Sequence, residues 1–263
     1  MEGQQPTIFA DALLARRLEA AEAANARGCC AGEGSAVLEI AGGCAIFVGA
    51  ESPLTEAVGL GLNGPVSEAT VRELEAFFRS RGAPVSIDLC PHADPGFLES
   101  LAGRGYRMTE FNNVLVRRLG GLEIAFTPRI RRALGSEADL WSHTVGQGFF
   151  EQPELSTAEM DVGRAVFGMP GALCYLAVME SGQPAGGGVL AVYDGLASLF
   201  ADSTVPAHRR TGLHRELIAA RLNEAVARGC TLAAATTQPG SASQRNYERL
   251  GFRVAYTKVT LKG

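Results

Sequence analysis

Along residues 213–226 apolar side chains recur three and four positions apart. Leu213, Leu217, Ile218, Leu222 and Val226 share one face, which predicts an amphipathic helix. Leu199 to Thr204, just ahead of it, reads as a strand end, and Thr231 to Thr237 as a short buried strand. A turn and short helix over Gln238 to Phe252 lead into a closing strand, Arg253 to Leu261. Upstream, Ser136 to Leu140 is an acid-rich helix start, and the helix runs through Trp141 towards Phe149. Thr157 to Phe167 reads as a second helix, and Cys174–Met179 with Gly186–Val192 as a strand pair. Nearer the start, Asp11 to Arg27 is predicted helical with Leu13, Leu14, Leu18 and Ala21 on one face. Val37–Ile40 and Ala45–Val48 then form hairpin strands.

One pattern occurs twice. Arg81-Gly82 precedes the strand-like Ala-Pro-Val-Ser-Ile-Asp-Leu, with Gly105-Tyr106-Arg107 about two dozen residues on. Arg228-Gly229 precedes Cys-Thr-Leu-Ala-Ala-Ala-Thr, with Gly251-Phe252-Arg253 at nearly the same distance. Both run into a closing strand, Met108–Arg117 and Val254–Leu261. A helix–glycine–strand succession is common in α/β proteins, but matched spacings on both sides favour duplication. The predicted organisation is two domains, 1–119 and 120–263, divided at Leu119-Gly120-Gly121 before an opening strand, Leu122 to Phe126.

The chemistry concentrates where strand gives way to helix, at Val205-Pro-Ala-His-Arg-Arg-Thr-Gly-Leu-His-Arg-Glu-Leu-Ile218. Unpaired amides and the positive end of the helix dipole converge there, and a glycine lets an anion approach. Arg209 and Arg210 at such a start conflict with the dipole, which favours an anionic ligand over a solvated basic pair. In order, the strand, the Arg209-x-x-Gly212 turn, the helix, the next strand and the Tyr247-x-x-Leu-Gly-Phe252 segment resemble the GNAT superfamily of N-acetyltransferases, over roughly the last half of the chain. His214 stands where family loops usually carry a small residue.

The resemblance implies an α/β (α+β) fold: two tandem GNAT-like domains, each a mixed, mainly antiparallel twisted sheet flanked by helices. It implies acetyl-CoA as co-substrate and transfer of its acetyl group to a primary amine of a small molecule or peptide. Asp202, Ser203, Thr204 and Val205 would splay from the neighbouring strand and pair with the pantetheine arm. Arg209, Arg210, Thr211, Gly212 and Leu213 would contact the pyrophosphate, and His214 would add to it or be a half-exposed helix histidine. Ser243 and Asn246 are candidates for the cofactor arm or for capping the short helix. Tyr247 is the candidate general acid, although tyrosine there also makes a good core residue.

No base is evident. Ser198 occupies the position where histone-acetylating relatives carry a glutamate, and Asp202, Glu151 and His143 are more simply surface residues. The first half lacks the loop's basic residues: Gly59-Leu-Gly-Leu-Asn-Gly-Pro65 leads into a helix start at Pro65 and Ser67 without arginine or lysine. It is therefore read as a degenerate copy that shapes the acceptor site. A different-class alternative is a GNAT-fold protein that senses acyl-CoA or binds a partner without turnover.

Composition narrows these readings. At 263 residues, 46% hydrophobic and 20% charged, the chain is an ordinary globular protein able to bury real cores. Its net charge of −4 argues against a general nucleic-acid binder, and no run is long and apolar enough for a membrane helix. The N-terminus shows no signal-peptide pattern. Cys29, Cys30, Cys44, Cys90, Cys174 and Cys230 lie in apolar segments without ligand spacing, so buried reduced thiols in a cytoplasmic protein are expected. His92, His143, His208 and His214 are not spaced for metal, and no G-x-S-x-G elbow appears.

Overall fold

Helix starts fall where a side chain satisfies an otherwise orphaned amide. Asp11, Ser67, Ser156 and Ser241 each accept a hydrogen bond from the amide three residues on. The computed structural model describes residues 10–120 and 124–263. The first half comprises α1 (Ala12–Gly28), β1 (Ala36–Ile40), β2 (Gly43–Phe47), β3 (Ala57–Val58), α2 (Glu68–Arg79), β4 (Ser86–Leu89), α3 (Pro95–Gly103) and β5 (Arg107–Arg118). The second half begins with β6 (Ile130–Arg132), α4 (Ala138–Phe150), α5 (Thr157–Phe167), β7 (Leu173–Val178) and β8 (Pro184–Tyr193). It continues with β9 (Leu196–Thr204), α6 (Leu213–Ala227), β10 (Leu232–Thr237), α7 (Ala242–Arg249) and β11 (Arg253–Lys262). Gly82 and Gly229, with φ of 68° and 77°, carry the chain out of α2 and α6 in the left-handed conformation that stops a helix.

The strands form one mostly antiparallel sheet of eleven, ordered β1-β2-β3-β4-β11-β5-β10-β9-β8-β7-β6. The two closing strands have crossed over. β11 lies between β4 and β5, and β5 lies between β11 and β10, all antiparallel. The halves also match in their one parallel pair each, β3 with β4 and β9 with β10. Side chains alternate across the sheet. Ala197 and Leu199 of β9 join Leu213, Leu217, Ile218, Tyr247 and Phe252 beneath α6 and α7. Leu196 and Phe200 face the other way, towards α1 and towards Trp141 and Val145 of α4.

Three expectations need correction. The halves do not hold separate sheets, because each lends its last strand to the other. Of the opening strand expected over Leu122 to Phe126, the described residues 124–126 form no strand. Residues 122 and 123 lie outside the described residues, and both backbone groups of Ile124 are taken by the Asn223 side chain, at 3.0 and 2.8 Å, instead of a strand partner. Among the described residues the first strand of the second half is β6. On α1, Leu13 is 74% exposed; the buried stripe is Ala15, Leu18, Glu19, Ala21 and Ala23. The cysteines are free and, apart from the half-buried Cys30, buried; burial pushes the thiols of Cys29, Cys90 and Cys174 up to about 12. Among the described residues no helix is long and apolar enough to cross a membrane.

Glu19 is in the buried stripe because of a lysine. Lys258 of β11 is fully buried, with its Nζ 2.5 Å from Glu22, 2.9 Å from Asp88 and 3.1 Å from Glu19. Tyr256 donates to Glu19 at 2.7 Å. This lysine ties the closing strand of the second half to α1 and β4 of the first. Removing one side of a buried ion cluster leaves the other uncompensated and costs about 3–5 kcal/mol. Lys258→Ala is therefore expected to lower unfolding stability by about that much. Urea denaturation measures it, and a loss below about 1 kcal/mol would show that the cluster does not fasten the halves together.

Candidate functional site

β9 and β10 pair only from Leu196–Leu199 against Leu232–Ala235, although β9 runs on to Thr204 and β10 to Thr237. Past that point they part. A bulge lies in the departing strand: Ala201 has φ 53°, and the register with β8 shifts between Gly187–Ser203 and Val189–Phe200. Bulges of this kind re-aim a strand and end its pairing. A cleft of about 660 Å³ opens at the parting, walled by Ser198 to Asp202 of β9, by Ala234 to Gln238, and by Glu22 and Asn25 of α1. Its size suits a small-molecule site. Parting of these strands was expected around Asp202 to Val205; it begins slightly earlier, after Leu199.

The expected strand-end residues do different things. Ser203 is buried, its hydroxyl donating to the Val145 carbonyl at 2.7 Å, and the Val205 amide donates to Ala185 at 2.9 Å. Thr204 accepts from Arg209 Nε at 3.3 Å. The Asp202 side chain is the centre of a buried cluster rather than a surface carboxylate. Arg221 forms an ion pair with its Oδ1, the Tyr247 hydroxyl donates to its Oδ2, and His214 Nε2 lies 3.5 Å away. Arg221 is fully buried, and it also donates to Leu217 and Val189 carbonyls at 2.9 and 2.8 Å. Asn246 Nδ2 lies 3.0 Å from His214 Nδ1, which turns the Nε2 side of the ring towards Asp202. Burial alone would raise the Asp202 pKa, but the Arg221 charge and the bonds from His214 and Tyr247 outweigh it and hold the carboxyl below its usual range. Burial and the Asp202 charge push the Tyr247 phenol well above its own.

The loop between β9 and α6 presents backbone. After a short 3-10 turn over Pro206–His208, Arg210 and Gly212 take positive φ, 66° and 86°, and no side chain caps the first amides of α6. Successive residues of this kind form an anion-accepting concavity at a helix start. Thr211 and Gly212 are exposed, while Leu213 is buried in the core. The Arg209 guanidinium folds back onto Glu151 at 2.7 Å and the Gly148 carbonyl at 2.9 Å, so Arg210 is the outward arginine. Ser243 lines the cleft, and Ser241, not Ser243 or Asn246, caps α7. His143 is half-buried on α4. Among the described residues no cluster of His, Cys, Asp or Glu is placed to hold a metal.

Arg221 escapes a periodicity reading because it sits within the apolar stripe of α6, one turn from Leu217 and next to Leu222. A charge in a buried stripe is itself a signal, as is Gly186-Gly187-Gly188 in β8. A Cβ at Gly188 would lie 2.7 Å from Arg221 Nη1, so only glycine lets the arginine rest against the strand.

Comparison with known proteins agrees with this geometry. A model of the acetyltransferase (GNAT) family matches residues 140–252. A GCN5-related N-acetyltransferase from Kribbella flavida is similar in structure, with TM-score 0.65 and 21% identity over 92% of this chain and 95% of that one. A tandem GNAT protein from the clavulanic acid biosynthesis pathway has TM-score 0.62 and 16% identity over 97% and 96% of the two chains. At these identities the likeness is one of fold. No curated protein matches the chain.

The cluster makes a testable statement about pH. Because the native Asp202 pKa is depressed, its contribution to stability is complete above its unfolded value near 4 and is lost as pH falls through the native one. Asp202→Asn, which strands Arg221, is expected to cost about 3–5 kcal/mol at pH 7. The gap from wild type should narrow below about pH 4. Denaturant titrations at pH 7 and pH 3 check this; a gap independent of pH would remove Asp202 as the charged partner.

Proposed function

We propose that the chain is an acetyl-CoA-dependent N-acetyltransferase acting on a primary amine; the match of a GNAT acetyltransferase family model to residues 140–252 supports this reading. The supporting observation is the parting of β9 from β10 beside a helix start whose amides lack partners. The edge of β9 beyond Leu199 has no strand neighbour on that side, so its backbone groups are free to pair with the amides of a pantetheine arm. The loop from Arg209 to His214 suits the pyrophosphate, with Arg210, Thr211 and Gly212 presented outward and Arg209 released from Glu151 when a phosphate competes for it. We further propose that the chain divides near 119–121 and that the first half is a degenerate copy of the second.

In this reading the neutral amine attacks the thioester carbon from the α1–α4 face of the sheet, and fixed amides at the parting stabilise the oxygen as it gains charge. A C–N bond forms, the C–S bond breaks, the attacking nitrogen gives up one proton to solvent, and the thiolate recovers one. Tyr247 is the donor: burial and Asp202 keep its phenol protonated, and a thiolate arriving at the cluster would compete for the bond now given to Asp202. The same bond supports a second reading, a GNAT-fold protein that binds acyl-CoA without turnover, because the hydroxyl already has an acceptor.

Two measurements separate these. By calorimetry wild type should bind acetyl-CoA saturably and Gly212→Glu, which crowds and charges the loop, at least about tenfold more weakly. No binding by folded wild type would end the acetyltransferase assignment. Tyr247→Phe should lower kcat by about 10²-fold or more with acetyl-CoA affinity unchanged. Unchanged turnover would take Tyr247 out of the mechanism, and saturable binding without turnover of any amine would leave the binding protein.

A further inference from the structure

The cleft has a second end, and its charges do not balance. Glu22 of α1 and Glu56, just ahead of β3, lie on its wall, both from the first half of the chain. Glu22 leans on Lys258, but that ammonium already serves Glu19 and Asp88 as well. The half-buried Glu56 carboxyl lines the cleft, and Oδ1 of the buried Asp88 has no hydrogen-bond partner among the described residues. Three acids thus share one cation, and the fields of Glu56 and of Glu110 of β5 add to theirs. Like charges held together at low dielectric either take up protons or recruit a counter-cation. Beyond Cys29 and Leu54 the cleft continues into an outer groove bearing Glu33, Glu51 and Asp161, where Arg164 is already paired with Asp161 and Asp139. That approach attracts cations.

A metal does not fit, since no three ligand groups converge among the described residues. An organic ammonium needs only carboxylate oxygens and a wall to lie along. Nor can it be the reacting nitrogen, which must be neutral to attack a thioester. We propose that the acceptor is a small diamine or polyamine, and that its second, non-reacting ammonium docks on Glu56 with Glu22 beside it. The first half thereby supplies the specificity of the site. This rests on the acetyltransferase reading for the position of the reacting end, not for the cation site itself.

Protonation gives an independent handle. Burial, then the charges of Asp88 and Glu22, push Glu56 up to about 8, with Lys258 opposing and Glu110 adding; Glu22 is raised to about 7. At pH 7 Glu56 therefore carries a proton, and docking an ammonium expels it: carboxylic acid and ammonium become an ion pair and a free proton. A raised native pKa also means that stability falls as pH rises from the unfolded value, about 4.5, through the native one.

The test titrates 1,4-diaminobutane and, as its single-charge control, 1-aminobutane into the full chain with and without CoA. Buffers of differing ionisation enthalpy count the protons released. The diamine should bind at least about tenfold more tightly than the monoamine at pH 7 and release a proton. Glu56→Gln should bring the two amines to within about twofold and abolish the release. Its melting temperature should match or exceed that of wild type at pH 9, which shows that the variant folds. Equal binding of both amines by wild type, or diamine binding unchanged in Glu56→Gln, would overturn the proposal. If wild type binds the diamine as described but not acetyl-CoA, the cation site stands and the acetyltransferase reading falls. Acetyl-CoA binding without diamine preference has the reverse meaning.

Discussion

Everything in this molecule depends on the pairing of β5 with β11, the longest ladder at the centre of the sheet. Each strand closes one half of the chain and completes the sheet of the other. Without β11, β4 would be left with an unpaired edge; without β5, so would β10. β10 in particular needs its full ladder with β5, from Leu232 to Thr237, because beyond Ala235 it has given up β9 on the other side. The cleft can exist because the strand that loses one neighbour is held along its whole length by another. The functional feature of the second half is thus supported by a strand of the first.

Two buried charge clusters fasten this arrangement, and they differ in kind. Around Asp202 the groups are matched: one carboxylate receives a guanidinium, a phenol and an imidazole edge. Such a cluster fixes geometry, holding the end of β9 to α6 and α7 at the point where the strand must turn away. Around Lys258 the groups are not matched, since three carboxylates share one ammonium and a fourth stands close by. An interior that kept such an excess only for stability would be poorly served by it, as a well-packed apolar replacement is often as stable. An excess of one charge beside a cleft makes sense as half of a pair.

Local pattern carries most of the fold. Capping serines, apolar spacing in α6 and the glycines after α2 and α6 act within a few residues, so the sequence displays them directly, and α5 falls where its pattern predicts. The crossing of β5 and β11 does not show, because two similar closing strands satisfy the same alternation whether each stays with its own half or is exchanged. The site divides in the same way. The turn at Arg209–Gly212 is legible because its chemistry is local, whereas Arg221 reaches Asp202 only through the packing of α6 on the sheet. Lys258 shows faintly, as the inward member of Tyr256, Lys258 and Thr260 on β11. Glu22 and Glu56 carry no signal at all: they are ordinary acids, far from the loop in sequence, that folding brings to one wall.

That last point bears on why a half-chain without a phosphate loop is present. The turn after β3, Gly59 to Pro65, has the glycines of its counterpart but no basic residue, so nothing there offers a phosphate a charged partner. The first half contributes a strand that borders the cleft's β10 and a helix, α1, that lies across the boundary onto β8 and β9. α1 brings Glu22 to the cleft, and the short β3 brings Glu56. A single domain would leave this face of the parted strands open to solvent. On the proposed reading the loop after β9 takes the anionic carrier and the acids of the first half face the cleft from α1 and β3, so carrier and cation are held by different parts of the fold.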